Sequence, residues 1–224
     1  MTHREILDFV KKSENDRINL FYNSLYEKQK ELNRRFNRTS FQLLTIVTIY
    51  FIASNYKLQP IQIGPLSLSD LRIILILLPV AFSYFFLELA VISEYRAENY
   101  KMLRWITLLL YNPNLKDSEL QNPKFFHFTR LVLPFSFWYE IIWGILKKNK
   151  RKIHWFTVLI FSPIFLLAVA PFWFEYLAIM NVITHYWDEN IAKFSVIASM
   201  WLSIIGLYYY LKTIFISDTR TFTS

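Results

Sequence analysis

The 224-residue chain contains no cysteine and only three glycines. Without cysteine there is no disulfide, thiolate nucleophile or cysteine-bound metal, and without a Gly-x-x-x-Gly step no close glycine-mediated helix crossing is expected. Also missing are a nucleotide-binding glycine loop, Gly-x-Ser-x-Gly, His-Glu-x-x-His and the paired aspartates of lipid transferases. The four histidines, His3, His127, His154 and His185, are scattered. No enzymatic activity, cofactor or metal is therefore expected. The N-terminus, Met1-Thr2-His3-Arg4-Glu5, lacks the apolar core and cleavage site of a secretory signal, so the first membrane helix is expected to direct its own insertion.

What the chain has instead is apolar bulk: 54% of residues are hydrophobic and 19% aromatic, although 19% are charged. The mean hydropathy is +0.25. Charges spread evenly through so apolar a chain would fall inside a soluble core, where unpaired charge is very costly. Here they cluster and leave long uncharged stretches, as in a chain that meets both water and lipid. Crossing a hydrocarbon core of about 30 Å takes roughly 20 apolar residues in a helix. Four stretches qualify: about 40–57, 71–93, 154–178 and 191–215. The first is the weakest, because Gln42, Thr45 and Thr48 interrupt it. The third contains Pro163 and Pro171, which predict kinks.

Basic residues orient these spans. Nine fall within 1–38 and eleven within 94–154, whereas the connections 58–70 and 179–190 have none. The positive-inside rule then predicts an all-α integral membrane protein of the plasma or inner membrane with both termini cytoplasmic. Its expected organisation is a cytoplasmic amphipathic helix over 1–39, a first transmembrane hairpin over 40–93 and a cytoplasmic basic loop over 94–153. A second transmembrane hairpin over 154–215 and a cytoplasmic tail over 216–224 complete it. Thr2 with Glu5, and Ser13 with Asp16, are helix starts. No Gly or Pro separates residue 3 from Gln59, so one helix, or two joined near Ser13, is expected to run into the first span. Residues 97–111 extend the second helix. The aromatic stretch 125–146 is long enough for a fifth span, but Pro134, Arg130, Glu140 and the flanking bases favour an interfacial or re-entrant helix. Trp138, Trp143, Lys147, Lys148, Lys150, Arg151 and Lys152 are the candidate contacts to anionic phospholipid headgroups.

Glu88 lies within the second span, and an acid there costs a few kcal/mol unless paired, hydrated or protonated. Either it pairs with Arg96 or a loop lysine, or one copy per subunit of an oligomer makes a cation-attracting ring. Gln42, Thr45 and Thr48 recur every third residue as a polar stripe, which lines a water path or supplies interhelical hydrogen bonds. Together these four are the candidate pore-lining residues. Ala192, Ser195, Ala198, Ser199 and Ser203 give the last span a small-residue packing face. Glu175, His185, Asp188 and Glu189 are expected on the external side. The last three have the spacing of helical metal ligands, but in a short turn they read as solvated groups. Six acids among the nine bases of the N-terminal segment suit a protein partner or self-assembly better than nucleic acid.

The layout of basic N-terminal helix, two spans, basic amphipathic loop, two spans and short tail is similar to the small four-span membrane proteins of bacterial antiphage defence. These include the membrane component of Kiwa and membrane accessory proteins of RNA-targeting CRISPR systems. The resemblance implies an oligomeric membrane sensor or pore that acts with a cytoplasmic partner and alters membrane permeability during infection. It covers topology over most of the chain and carries no functional residue onto this sequence. The expected function is a homo-oligomeric membrane channel or membrane-perturbing effector in antiviral defence. The alternative is a non-conducting membrane sensor or anchor that recruits a cytoplasmic protein.

Overall fold

The computed structural model describes residues 8–9, 12–55, 61–63, 66–68, 71–111 and 155–219. They are helical apart from one short ladder. Helix α1 spans Asn15–Asn55, strands β1 and β2 span Ile61–Ile63 and Leu66–Leu68, and helix α2 spans Leu71–Tyr111. Helices α3, Trp155–Tyr186, and α4, Asn190–Thr219, complete the order. The segment 125–146, with Trp138 and Trp143, and the basic run Lys147, Lys148, Lys150, Arg151 and Lys152 lie outside the described residues.

The expected break near Ser13 is present. The Ser13 N–H donates to the Phe9 carbonyl at 3.0 Å, and the Glu14 carbonyl accepts from Arg17 and Ile18 at 3.1 Å, so α1 starts afresh, with Asp16 in its first turn complementing the helix dipole. With no Gly or Pro to interrupt it, α1 then continues for 41 residues, about 61 Å at 1.5 Å per residue. Helix α2 has the same length. Each is about twice a bilayer's hydrocarbon thickness, so only part of either can lie in lipid.

The ladder is the feature that the sequence reading did not anticipate. Ile61 pairs with Leu68, Gln62 with Ser67 and Ile63 with Leu66, antiparallel. The period-2 patterns Ile-Gln-Ile and Leu-Ser-Leu around Gly64-Pro65 are the local cause.

The chain divides into two compact units, Met1–Arg35 with Ser93–Lys150, and Phe36–Ile92 with Arg151–Ser224. In the first, Ile18 and Leu25 of α1 bury against Leu103, Ile106 and Leu109 of α2, flanked by Phe21, Tyr22 and Trp105. The helical spacing of these residues makes one apolar stripe on each helix. A polar lock sits beside it. The Asn99 Nδ2 donates to both the Leu25 carbonyl and Gln29 Oε1 at 2.9 Å, and Arg96 Nε donates to Asn33 Oδ1 at 2.9 Å. Exposed pairs one turn apart, Lys30 with Glu27 at 2.8 Å and Arg35 with Glu31 at 2.6 Å, dress the outer face of α1. Such pairs contribute only about 0.3–0.5 kcal/mol each.

In the second unit, Leu43, Ile46 and Tyr50 of α1, Leu75, Leu78, Phe82 and Phe86 of α2, and Phe174 and Ala178 of α3 form the main core. Phe174 packs edge-on to Tyr50 at 5.1 Å and tilted against Phe82 at 4.5 Å. Ile76, Ile179, Val182, Ala192 and Val196 form a second cluster among α2, α3 and α4. Helix α3 runs to Tyr186, beyond the expected end near residue 178, and Trp187 to Glu189 alone turn the chain into α4. There the Glu189 carbonyl accepts from Ala192 and Lys193 at 3.1 and 3.3 Å. The small-residue face of α4 is turned inward as expected: Ala192, Ser195 and Ser199 are fully buried. At Gly206 a Cβ would stand 3.0 Å from the Phe86 ring and 3.5 Å from Leu87 Cα, so this one glycine does set a close helix approach.

Candidate functional site: a buried carboxyl among three helices

Among the described residues of the second unit, large apolar side chains are exposed and several polar ones lie buried beside the apolar core. Along α4, Phe194, Ile197, Trp201, Ile204 and Tyr208 are exposed, Phe194 by 69% and Trp201 by 67%, and Trp173 and Tyr176 of α3 are exposed likewise. Ser83, Ser195 and Ser199 are 0% exposed and Glu175 only 6%. A water-soluble bundle sorts its residues the other way. Two helical segments among the described residues, Arg72–Leu110 and Asn190–Thr213, are long and apolar enough to cross a membrane.

Each buried hydroxyl has a structural cause. Pro79 is fully buried inside α2 and has no N–H to give the Leu75 carbonyl. Around it the serines gather: the Ser83 Oγ donates to the Pro79 carbonyl one turn back, at 2.8 Å. The Ser195 hydroxyl of α4 donates to the Ile76 carbonyl of α2, and Ser199 bonds back to the Ser195 carbonyl at 2.8 Å. Hydroxyls on a small-residue face let two backbones approach while every buried donor finds an acceptor.

Glu175 of α3 meets this seam from the other side. Its Oε1 is hydrogen-bonded to the Ser83 Oγ, and Ser203 of α4 lies within bonding reach of it. The Ser203 Oγ also contacts the Ser83 Oγ at 3.2 Å. Glu175 Oε2 is buried without a hydrogen-bond partner. Three helices thus each contribute one oxygen-bearing side chain to a single point. The sequence reading sets Glu175 near the external end of the third span; in the structure it lies mid-helix, eleven residues before Tyr186, with its carboxyl buried against Ser83. Ser83 was not singled out and Ser203 entered only as a packing residue. The available signal was Ser83 standing one turn after an intrahelical proline, where a hydroxyl has a carbonyl to cap.

The other sequence candidates do not join this site. Thr45 and Thr48 are exposed, and their hydroxyls donate back to the Phe41 and Leu44 carbonyls of their own helix, both at 2.9 Å. Among the described residues, the bonds recorded for these hydroxyls are therefore within α1. They share the outer surface of α1 with exposed Phe41, Leu44, Ile49 and Ile52. Gln42 and Glu88 are half-buried. Arg96 stands eight residues from Glu88, about 12 Å along the helix, and bonds Asn33 instead. His185 lies in the last turn of α3 with a ring nitrogen 3.0 Å from the Asn181 carbonyl, whereas Asp188 and Glu189 fall in the turn that follows. The helical register that would have aligned the three is thereby broken, and no group of three His, Asp or Glu among the described residues is placed to hold a metal.

No protein-family model matches this chain, and no curated protein or solved structure matches it either.

Proposed function

We propose that the chain is a four-span membrane protein of the plasma or inner membrane, with termini and the 94–153 segment cytoplasmic, that assembles with copies of itself into a channel or membrane-perturbing effector. The observation that carries the reading is the inverted sorting of the second unit, with aromatic and aliphatic side chains outside and hydroxyls and a carboxyl within. Lipid is the solvent in which that surface is at home. Two features support assembly. Thr45 and Thr48 sit on an apolar outer surface and bond back to carbonyls of their own helix, and Glu88 is half-buried on α2. In a ring of copies these groups face a shared axis, where a carboxylate attracts cations. Action in bacterial antiviral defence beside a cytoplasmic protein is the setting that the layout of the chain suggests. Anionic phospholipid is the lipid that its basic segment suits.

The experiment is single-channel recording of the full chain in planar bilayers containing anionic lipid. Glu88→Gln is expected to lower cation over anion selectivity with the fold intact; unchanged selectivity, or no conductance from the wild-type protein, sinks the channel reading.

A second reading, a non-conducting sensor or anchor, is favoured by the first unit. There α1 pairs with α2 through its own apolar stripe and polar lock and leaves Lys28, Arg34 and Arg35 exposed. Deleting residues 1–30 would strip Ile18 and Leu25 from Leu103, Ile106 and Leu109, so charge reversal at Lys28 and Arg34 is the better probe. Loss of a cytoplasmic partner with membrane permeability unaltered favours the anchor.

A further inference from the structure

Hydrogen positions at the Ser83, Glu175 and Ser203 cluster follow from the number of protons that its contacts require. The Ser83 Oγ is one donor and two acceptors. Its contact with the Pro79 carbonyl at 2.8 Å takes the serine's own proton, because a carbonyl has none to give. The contact with Glu175 Oε1 then needs a proton from the carboxyl, and the contact with Ser203 takes the Ser203 proton. With Ser203 also within bonding reach of Glu175, four contacts draw on the two hydroxyls, which supply only two protons. One serine proton shared between two acceptors would bend and weaken both bonds. Burial agrees with this count. Glu175 Oε2 has no partner, which costs about 1–3 kcal/mol for a neutral oxygen and much more for a charged one. Among the described residues, the contacts recorded for Glu175 are with the two serines. Among the described residues of the second unit, the other inward or half-buried titratable groups are Tyr50, Glu88, Tyr186, Tyr209 and Tyr210. The half-buried cations of α4, Lys193 and Lys212, stand ten and nine residues from Ser203, about 15 and 13 Å along the helix.

We propose that Ser83, Glu175 and Ser203 form a proton-binding site inside the bundle, in which Glu175 carries the proton as a neutral carboxyl and donates it to Ser83. A metal cation does not fit between the same oxygens. Sodium- or calcium-sized ions stand about 2.3–2.6 Å from each ligand and hold those ligands apart, whereas Ser83 and Glu175 are in direct hydrogen-bond contact. Release of the proton has a defined consequence. The O–H bond of the carboxyl breaks, the proton passes to water, the electron pair stays on Glu175, and the Ser83 hydroxyl turns from the Pro79 carbonyl to the new carboxylate, which accepts the stronger, charge-assisted bond. The carbonyl at the proline of α2 then loses its side-chain donor. Protonation of Glu175 on α3 is thereby linked to the proline turn of α2 through a single hydroxyl. The site depends on the packing of the bundle and not on whether the protein conducts.

The test is infrared spectroscopy of the full-length protein in detergent or lipid at neutral pH, together with thermal unfolding. The wild type is expected to show the carbonyl stretch of a protonated, hydrogen-bonded carboxylic acid. Glu175→Gln should abolish that band and keep the wild-type midpoint, because the amide also donates to Ser83, while Glu175→Ala should unfold earlier. A wild-type spectrum without that band overturns the proposal, as does Glu175→Gln unfolding as early as Glu175→Ala. Should Glu175→Gln fail to fold, Ser83→Ala must move the band to higher frequency by removing the proton's acceptor, and an unmoved band overturns the proposal as well. A wild type that shows the band but no conductance would refute the channel reading alone.

Discussion

Replacing Asn99 by leucine isolates the polar lock of the first unit. Asn99 is 5% exposed and Gln29 2%, and the Asn99 amide donates to the Leu25 carbonyl and to Gln29 Oε1, each at 2.9 Å. Leu25 is mid-helix, so its carbonyl also receives the backbone bond of α1. Gln29 has no such second provision in that bond. Asn99→Leu removes two hydrogen bonds of about 0.5–1.5 kcal/mol each and strands the buried Gln29 oxygen, at a further cost of about 1–3 kcal/mol. The single variant should therefore lose roughly 2–5 kcal/mol. Adding Gln29→Leu removes the stranded group and puts apolar volume beside Leu103 and Ile106, so the double variant should recover to within about 1 kcal/mol of the wild type. A double-mutant cycle by detergent titration, followed by far-UV circular dichroism, measures the coupling, expected at about 1–3 kcal/mol. Additive losses, or a double variant no more stable than Asn99→Leu, would refute the reasoning.

Gly206→Ala puts a methyl 3.0 Å from the Phe86 ring, with Phe86 held between Phe82 and Phe172. A loss of about 1–3 kcal/mol is expected from overpacking, read as a lower thermal midpoint in detergent, while Ala198→Gly at the same helix should not reproduce it. Thr45→Leu with Thr48→Leu removes two hydroxyls that bond only their own backbone. Thermal stability should stay within about 0.5 kcal/mol, while conductance of the assembled protein should fall if these positions line a water path. Equal loss of fold and conductance would mean that the threonines serve packing between copies.

The predicted helices around 71–93 and 191–215 fall within helices of the structure, and those around 40–57 and 154–178 match α1 and α3 to within two residues at one end, because uninterrupted apolar runs and proline positions act locally. The second helix runs on to Tyr111 for the same reason: no Gly or Pro stops it after Pro79. Boundaries set by tertiary contacts were not legible. The end of α3 at Tyr186 depends on Ile179 and Val182 packing against α2 and α4, and an apolar count sees no difference between residue 178 and residue 186. Sequence also marked Ser195, Ser199 and Ser203 as a small face, since periodicity on one helix is local information.

Composition and charge clustering by themselves determined that the chain is helical, that some of its helices are long and apolar enough to cross a membrane, and that its glycine shortage makes bulky packing the rule. Only the tertiary structure decided which polar groups meet. Glu175 lies 92 residues from Ser83, and Ser203 lies 120 from it, so no local spacing relates them. Their meeting depends on the rotation of three helices about their own axes, which is fixed by Phe174 among its neighbouring rings and by Gly206 against Phe86. Rotation is a property of the packed whole, because each helix alone would present Glu175 or Ser83 to any direction equally well.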